Sequence, residues 1–150
     1  MKRFFSFFLL AGLMAPLLMS ISACSSSNGA TSPGHELRFA AMSDMSQEIQ
    51  SAPKTVSDAY RFAVANPEAT KNVPCFCGCG AMGHTSNYDC YVQDAPNNGK
   101  IIFDEHALGC SICVDITQDV MRMTGEGRAP PQIRQTILNT YSQFGPSNQP

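Results

Sequence analysis

Apolar residues recur at helical spacing in three parts of this chain. In the first part they lie three or four positions apart, at Val56, Ala59, Tyr60, Ala63 and Val64. This spacing places them on one face of a helix, because an α-helix turns once in about 3.6 residues. Thr55–Asp58 resembles a capping box and Asn66–Pro67 is a typical stop, so we predict a helix between these two signals.

Two further helices are predicted in the second half of the chain. One runs from Cys110 to Thr124, ends at Gly125, and has its buried stripe at Ile112, Ile116, Val120 and Met123. The other begins at Pro130–Pro131 and ends at Gly145–Pro146. Its inward positions are Ile133, Ile137, Leu138 and Tyr141.

The remaining segments carry weaker patterns. Residues 73–89 are rich in glycine, cysteine and small polar residues, which predicts a loop. Cys90–Val92 and Ile101–Phe103 are β-prone and flank Pro96–Gly99, which predicts a short β-hairpin. Residues 35–51 predict either a weak amphipathic helix or a partly ordered linker. The expected fold is mostly α, a small three- to four-helix domain with a cysteine-rich loop and this hairpin.

The start of the chain has the pattern of an export signal. The cationic residues Met1–Arg3 precede an apolar block from Phe4 to Met19, and the small residues that follow end in Ile21–Cys24, which resembles a lipobox. We predict cleavage before Cys24 and lipid, including palmitate, on its thiol. The protein would then be an exported, membrane-anchored lipoprotein of the bacterial cell envelope. The alternative is an ordinary signal peptide beside a chance cysteine.

These patterns divide the chain into three parts. Residues 1–23 are the predicted lipoprotein signal peptide, residues 24–54 the lipid anchor and flexible tether, and residues 55–146 the cysteine-rich helical domain. The net charge of −2 and 15% charged residues provide no basic patch, so nucleic acid is not an expected partner. No Ser–His–Asp spacing or phosphate-binding loop is visible, so we expect neither an enzyme nor a small-molecule substrate.

The chemistry of the domain is concentrated in six cysteines. They are Cys75, Cys77, Cys79, Cys90, Cys110 and Cys113. A Cys-x-Cys-x-Cys segment packs three thiols into five residues, and the later pair shares a face at a predicted helix N-terminus, where the dipole favours thiolate. Thiolate is the ligand class that selects soft ions, so these cysteines predict a site for Cu(I), with zinc as the other candidate.

The segment Pro74–Gly80 reads Pro-Cys-Phe-Cys-Gly-Cys-Gly. It resembles the motif of a family of bacterial lipoproteins named for the sequence Pro-Cys-Tyr-Cys-Gly-Cys, with Phe76 in place of the tyrosine. The likeness extends from about Thr55 to Pro146. The resemblance implies membrane anchoring and a shared cysteine site, and it assigns no reaction.

Three residues are candidates for additional ligands. His84 and Met82 lie in the glycine-rich loop, and His106 precedes Cys110 by four positions, on the same face if the helix reaches back that far. Together with the six cysteines they would form a metal sink or carrier, which implies a metal donor or acceptor protein as partner.

Two other interpretations of the cysteines stay open. Six thiols outside the cytoplasm can form three disulfides that staple a small core, and sequence does not choose among the pairings. Alternatively, the Cys-x-x-Cys spacing of Cys110 and Cys113 at a helix start is the arrangement of a thiol–disulfide redox protein.

Overall fold

Burial of the three predicted apolar stripes organises the fold. In the computed structural model, which describes residues 35–96 and 100–150, the long helices are α2 (Lys54–Ala65), α4 (Ser111–Gly125) and α5 (Pro130–Tyr141). Two single-turn helices, α1 (Gln47–Ser51) and α3 (Pro67–Lys71), flank α2. The prediction of a mostly helical domain with a cysteine-rich loop is confirmed.

Helix α4 lies at the centre and packs against both α2 and α5. Of its predicted stripe, Ile116, Val120 and Met123 are buried, whereas Ile112 is half-buried. On α5, Leu138 is likewise half-buried, and the fully inward positions are Ile133, Ile137 and Tyr141. This packing fixes the N-terminus of α4, and with it the pair Cys110 and Cys113, against the rest of the domain.

The predicted hairpin is present, shifted by two residues on its first strand. Strand β1 (Val92–Asp94) pairs antiparallel with β2 (Ile102–Phe103), and Val92 lies opposite Phe103. The preceding residues Tyr88–Cys90 form a 3-10 turn instead of a strand, which leaves Cys90 buried. The hairpin thereby closes one side of the cysteine loop.

Part of the segment that precedes α2 packs against the helical core. Within residues 35–54, Met45 and Ile49 are buried in the core, and α1 packs against α2. The backbone of Ala40 is also tied to Arg61, whose carbonyl accepts the Ala40 N–H at 3.1 Å. These apolar side chains find a partner surface on α2, so part of residues 35–54 packs against the domain predicted at residues 55–146.

The signal peptide, Cys24 and its lipid lie outside the described residues. Within 35–96 and 100–150, no helix has the length and apolar character that crossing a membrane requires.

Candidate metal centre

The six domain cysteines converge where the loop after α3 meets the N-terminus of α4. All six are free thiols: Cys75, Cys77, Cys79, Cys90, Cys110 and Cys113. Four of them are buried, and Cys77 and Cys110 are partly exposed. Residues that are up to 38 positions apart thus share one site, with Cys75 Sγ and Cys113 Sγ only 3.3 Å apart.

One half of the site, which we call the outer group, consists of Cys77, His106, Cys110 and Cys113. Their potential ligand atoms all lie within 4.8 Å of one another. Cys113 Sγ is 3.0 Å from Cys110 Sγ and 3.5 Å from Cys77 Sγ, and His106 Nε2 is 3.3 Å from Cys77 Sγ. Three thiols and one imidazole at this spacing match the Cys₃His ligand set of a tetrahedral ion.

The other half, the inner group, consists of Cys75, Cys79 and Cys90. Their sulfurs also lie within 4.8 Å of one another, and all three residues are buried. Cys79 Sγ and Cys90 Sγ are 3.7 Å apart. His84 Nδ1 is 3.5 Å from Cys90 Sγ, so this histidine stands beside the inner group without belonging to it.

Cys75 joins the two groups into one cluster. Its sulfur is 3.3 Å from Cys113 Sγ and 3.5 Å from Cys77 Sγ, both members of the outer group. A thiolate has several lone pairs and can bind two soft ions at once, so neighbouring sulfurs at these distances suit a bridged arrangement. Together, the described Cys and His side chains could hold a soft metal ion.

Local backbone geometry distributes the Cys-x-Cys-x-Cys thiols between the groups. Gly78 has φ 86°, a left-handed conformation that residues with a side chain rarely adopt, and the chain then enters a 3-10 turn over Cys79–Met82. This turn after Cys77 directs Cys79 to the inner group while Cys77 joins the outer group. Replacement of Gly78 would strain the turn.

His106 reaches the cluster by a different path from the one expected. The helix does not extend back to it, because α4 begins at Ser111 and Cys110 is its N-cap residue. His106 instead starts a separate 3-10 turn, His106–Leu108, and its ring approaches Cys77 rather than Cys110 most closely.

Met82 lies away from the tightly packed sulfurs. It is 58% exposed and lines a surface cavity of about 390 Å³ that His84 and Asp104 also line. Because its side chain is so exposed, Met82 forms part of the rim of this cavity.

A buried polar network holds the backbone of Cys113. Tyr91 Oη donates to the Cys113 carbonyl at 2.8 Å, and Asn87 Nδ2 donates to the same oxygen at 3.2 Å. Thr117 Oγ1 lies 2.7 Å from both Asn87 Oδ1 and Tyr91 Oη. All three residues are buried, and such outer contacts fix the orientation of a ligand.

Asp104 connects the two histidines. Its Oδ2 is 3.4 Å from His84 Nε2, and its Oδ1 accepts the His106 backbone N–H at 2.8 Å. Tyr60 Oη in turn donates to the Asp104 carbonyl at 2.7 Å. A carboxylate behind an imidazole is a recurrent partner of metal-binding histidines, because it fixes the tautomer and the ring direction. No sequence pattern indicated this role of Asp104.

Asn148, near the end of the chain, braces the cysteine loop. Its Oδ1 accepts the Cys75 N–H at 2.7 Å, and its backbone N–H donates to the Cys75 carbonyl at 3.1 Å. Its Nδ2 lies 3.5 Å from Cys79 Sγ and donates to the Ser86 carbonyl at 3.2 Å. An asparagine in a polar tail carries no recognisable pattern, so sequence analysis missed it.

Hydrogen bonds and burial divide the thiols into two protonation classes. The hydrogen bond from the Cys113 thiol lowers the pKa of Cys110 to about 5, and a hydrogen bond from the same thiol also lowers the pKa of Cys75. Burial raises the pKa of Cys77 and of Cys79. A metal ion binding here must therefore displace protons from the second class, because thiolates are the ligands.

We expect Asn148→Ala to loosen the cysteine loop. The substitution leaves the backbone N–H of Cys75 without its acceptor, and a buried donor left unpaired costs about 1–3 kcal/mol. Urea unfolding of the reduced protein measures this loss. Asn139→Ala, which changes an exposed asparagine on α5, is the matched control and should stay within about 0.5 kcal/mol of the original protein. Equal stability of the two variants would show that Asn148 does not brace the loop.

Comparison with known proteins places the chain in a family. The family described as "Protein of unknown function with PCYCGC motif" matches residues 13–149, so the chain belongs to it. No curated protein and no solved structure gives a significant match.

Proposed function

We propose that this member of the PCYCGC-motif family binds Cu(I) in its cysteine cluster and serves at the cell envelope as a copper sink or carrier. One observation carries the proposal: each of the six sulfurs lies within 3.7 Å of another. Cys75, Cys77, Cys110 and Cys113 are linked by these contacts, and Cys75 also lies within 4.8 Å of the pair Cys79 and Cys90, so the six sulfurs form one cluster in which thiolates can bridge several soft ions.

The charge of the cluster favours several monovalent ions. Six thiolates carry six negative charges, and their burial without compensation would be costly. About four Cu(I) ions would leave roughly −2, which nearby N–H donors can stabilise. The Asn148 amide near Cys79 Sγ and the His106 imidazole near Cys77 Sγ supply such contacts.

Zinc fits one part of the cluster better than the whole. The outer group offers the four ligands of a tetrahedral zinc site, Cys77, His106, Cys110 and Cys113. The inner group offers three sulfurs and would need His84 as a fourth ligand. Three-sulfur sites suit Cu(I) better than zinc, which usually takes four ligands in structural sites.

A metal titration of the reduced, metal-free protein tests the proposal. We expect uptake of about four equivalents of Cu(I) and about one equivalent of zinc, and we expect Cu(I) to displace the zinc. Metal content after desalting and the number of reactive thiols are the measurements. A protein that binds Cu(I) no better than the Cys110–Cys113 pair alone would contradict the cluster and favour thiol–disulfide exchange.

The state of the thiols in protein isolated without reductant separates the proposal from the structural alternative. We expect thiols that react with a thiol reagent only after a Cu(I) chelator has removed the metal. Three disulfides and no reactive thiols would support a disulfide-stapled interaction lipoprotein instead.

Anchoring through Cys24 is part of the proposal and has its own test. We expect Cys24→Ser to move the protein from the membrane fraction to the soluble fraction, because the lipid can no longer be attached. Fractionation after a salt wash measures the change, and Cys90→Ser is the control that leaves the lipidation site intact. Continued membrane association of Cys24→Ser would contradict lipid anchoring. The fold of residues 35–150 should not change.

A further inference from the structure

We infer that the two groups have different roles: metal enters and leaves through the outer group, and the inner group retains it. The inference rests on the proposed function, since it concerns the path of Cu(I) within the same cluster.

The two groups differ in their access to solvent. In the outer group Cys77, His106 and Cys110 are partly exposed, and only Cys113 is fully buried. In the inner group Cys75, Cys79 and Cys90 are each 1% exposed or less. An incoming complex of Cu(I) can therefore touch the outer sulfurs directly, whereas the inner ones become reachable only if the loop opens.

There is space for a donor ligand beside the outer group. An open cavity of about 350 Å³ adjoins Cys110 and is lined by Val56, Ala107, Leu108, Ser111 and Val114, among others. Cys110 itself is part of the lining of this cavity, so its partly exposed sulfur lies at the cavity's edge. A small thiol or a donor side chain carrying Cu(I) fits such a space.

Sulfur-to-sulfur distances provide the path inward. Cys75 Sγ lies 3.3 Å from Cys113 Sγ and 3.5 Å from Cys77 Sγ, and it also belongs to the inner group. In each transfer a new Cu–S bond forms before an old one breaks. The incoming thiol releases its proton, the departing thiolate regains one, and copper stays Cu(I), so no oxidant is needed.

A second cavity lies near the inner group. It is the cavity beside Met82, where the His84 side chain is 10% exposed and stands 3.5 Å from Cys90 Sγ. His84 Nε2 is 3.4 Å from Asp104 Oδ2, so the ring stands between this carboxylate and Cys90. Entry there would require the ring to move.

Transfer of Cu(I) from the loaded full-length protein to a chromogenic chelator, followed by stopped flow, tests the inference. We expect two phases, the slower at least about tenfold slower because it requires ligand exchange through Cys75 or local opening. Cys110→Ser should remove the fast phase and slow the loading of the remaining copper. Cys79→Ser should remove amplitude from the slow phase.

Further variants and outcomes keep the test decisive. If Cys110→Ser fails to fold, His106→Asn replaces it, with His35→Asn at an exposed histidine as its matched control. A single phase, or loading of Cys110→Ser at the original rate, would overturn the division of roles while leaving copper binding intact. Slower loading in Met82→Leu alone would place entry at the other cavity. Absence of any Cu(I) uptake would overturn the proposed function itself.

Discussion

Loading with Cu(I) should raise the midpoint of thermal unfolding of the reduced protein by at least about 10 °C. Ligands that bind the folded state stabilise it by mass action, and the cluster exists only when the loop, the 106–108 turn and α4 are assembled. The unfolded chain offers the Cys-x-Cys-x-Cys segment and the Cys110–Cys113 pair as separate, weaker ligands.

The size of the effect follows from the affinity. At a free ion concentration about 1,000 times the dissociation constant, one site adds about 4 kcal/mol to the free energy of unfolding. For a domain of this length, 1 kcal/mol corresponds to a shift of roughly 2–8 °C. Binding of Cu(I) by thiols of the unfolded chain reduces this gain in the free energy of unfolding. We therefore take the lower end of the range as the expected shift of the midpoint.

Calorimetry of the reduced protein with and without Cu(I) makes the measurement, and an equal concentration of Mg²⁺ is the control. Mg²⁺ prefers oxygen ligands and should produce no shift. An unchanged midpoint with Cu(I) would contradict a folded-state cluster. If the protein instead starts with three disulfides and unfolds when they are reduced, disulfides rather than metal hold the loop.

The helices could be predicted from the sequence because their burial pattern is local. The stripes of α4 and α5 recur every three or four residues, and all of these residues are buried in the structure except Ile112 and Leu138, which are half-buried. The sequence left residues 35–51 open between a weak amphipathic helix and a linker, since Met45 and Ile49 become buried only through tertiary contacts. Helical periodicity identifies the apolar face of a helix, but it does not show whether another element packs against that face.

The residue types of the cluster could be predicted from the sequence, but their arrangement in space could not. Thiol chemistry and spacing indicated that the six cysteines would share a site, as they do. The separation of Cys79 from Cys77 follows the left-handed turn at Gly78, whereas an extended Cys-x-Cys-x-Cys segment would place its three side chains on the same side. Asp104 and Asn148 act across the fold, so no local pattern could reveal them.

Cys113 is the residue on which the cluster depends most. Its sulfur lies within 3.5 Å of the sulfurs of Cys75, Cys77 and Cys110, and it thus contacts both groups, whereas Cys110 belongs to the outer group alone. Cys113 is also fully buried, and its carbonyl anchors the network of Tyr91 and Asn87. The sequence did not distinguish Cys110 from Cys113, because both lie on one face at the predicted helix N-terminus, where the dipole favours thiolate.

From this geometry we expect Cys113→Ser to lower copper capacity by about half or more, and Cys110→Ser, the matched substitution on the same helix, to lower it by about one equivalent. The serine hydroxyl at position 113 is shorter, harder and a poor ligand for Cu(I), so both groups lose their common neighbour. Urea unfolding of the metal-free variants separates a folding defect from lost binding, since an unpaired buried hydroxyl costs about 1–3 kcal/mol. Copper content after equilibrium dialysis is the decisive measurement. Equal capacities of the two variants would show that the groups bind independently, and full loading of Cys113→Ser would remove this cysteine from the site.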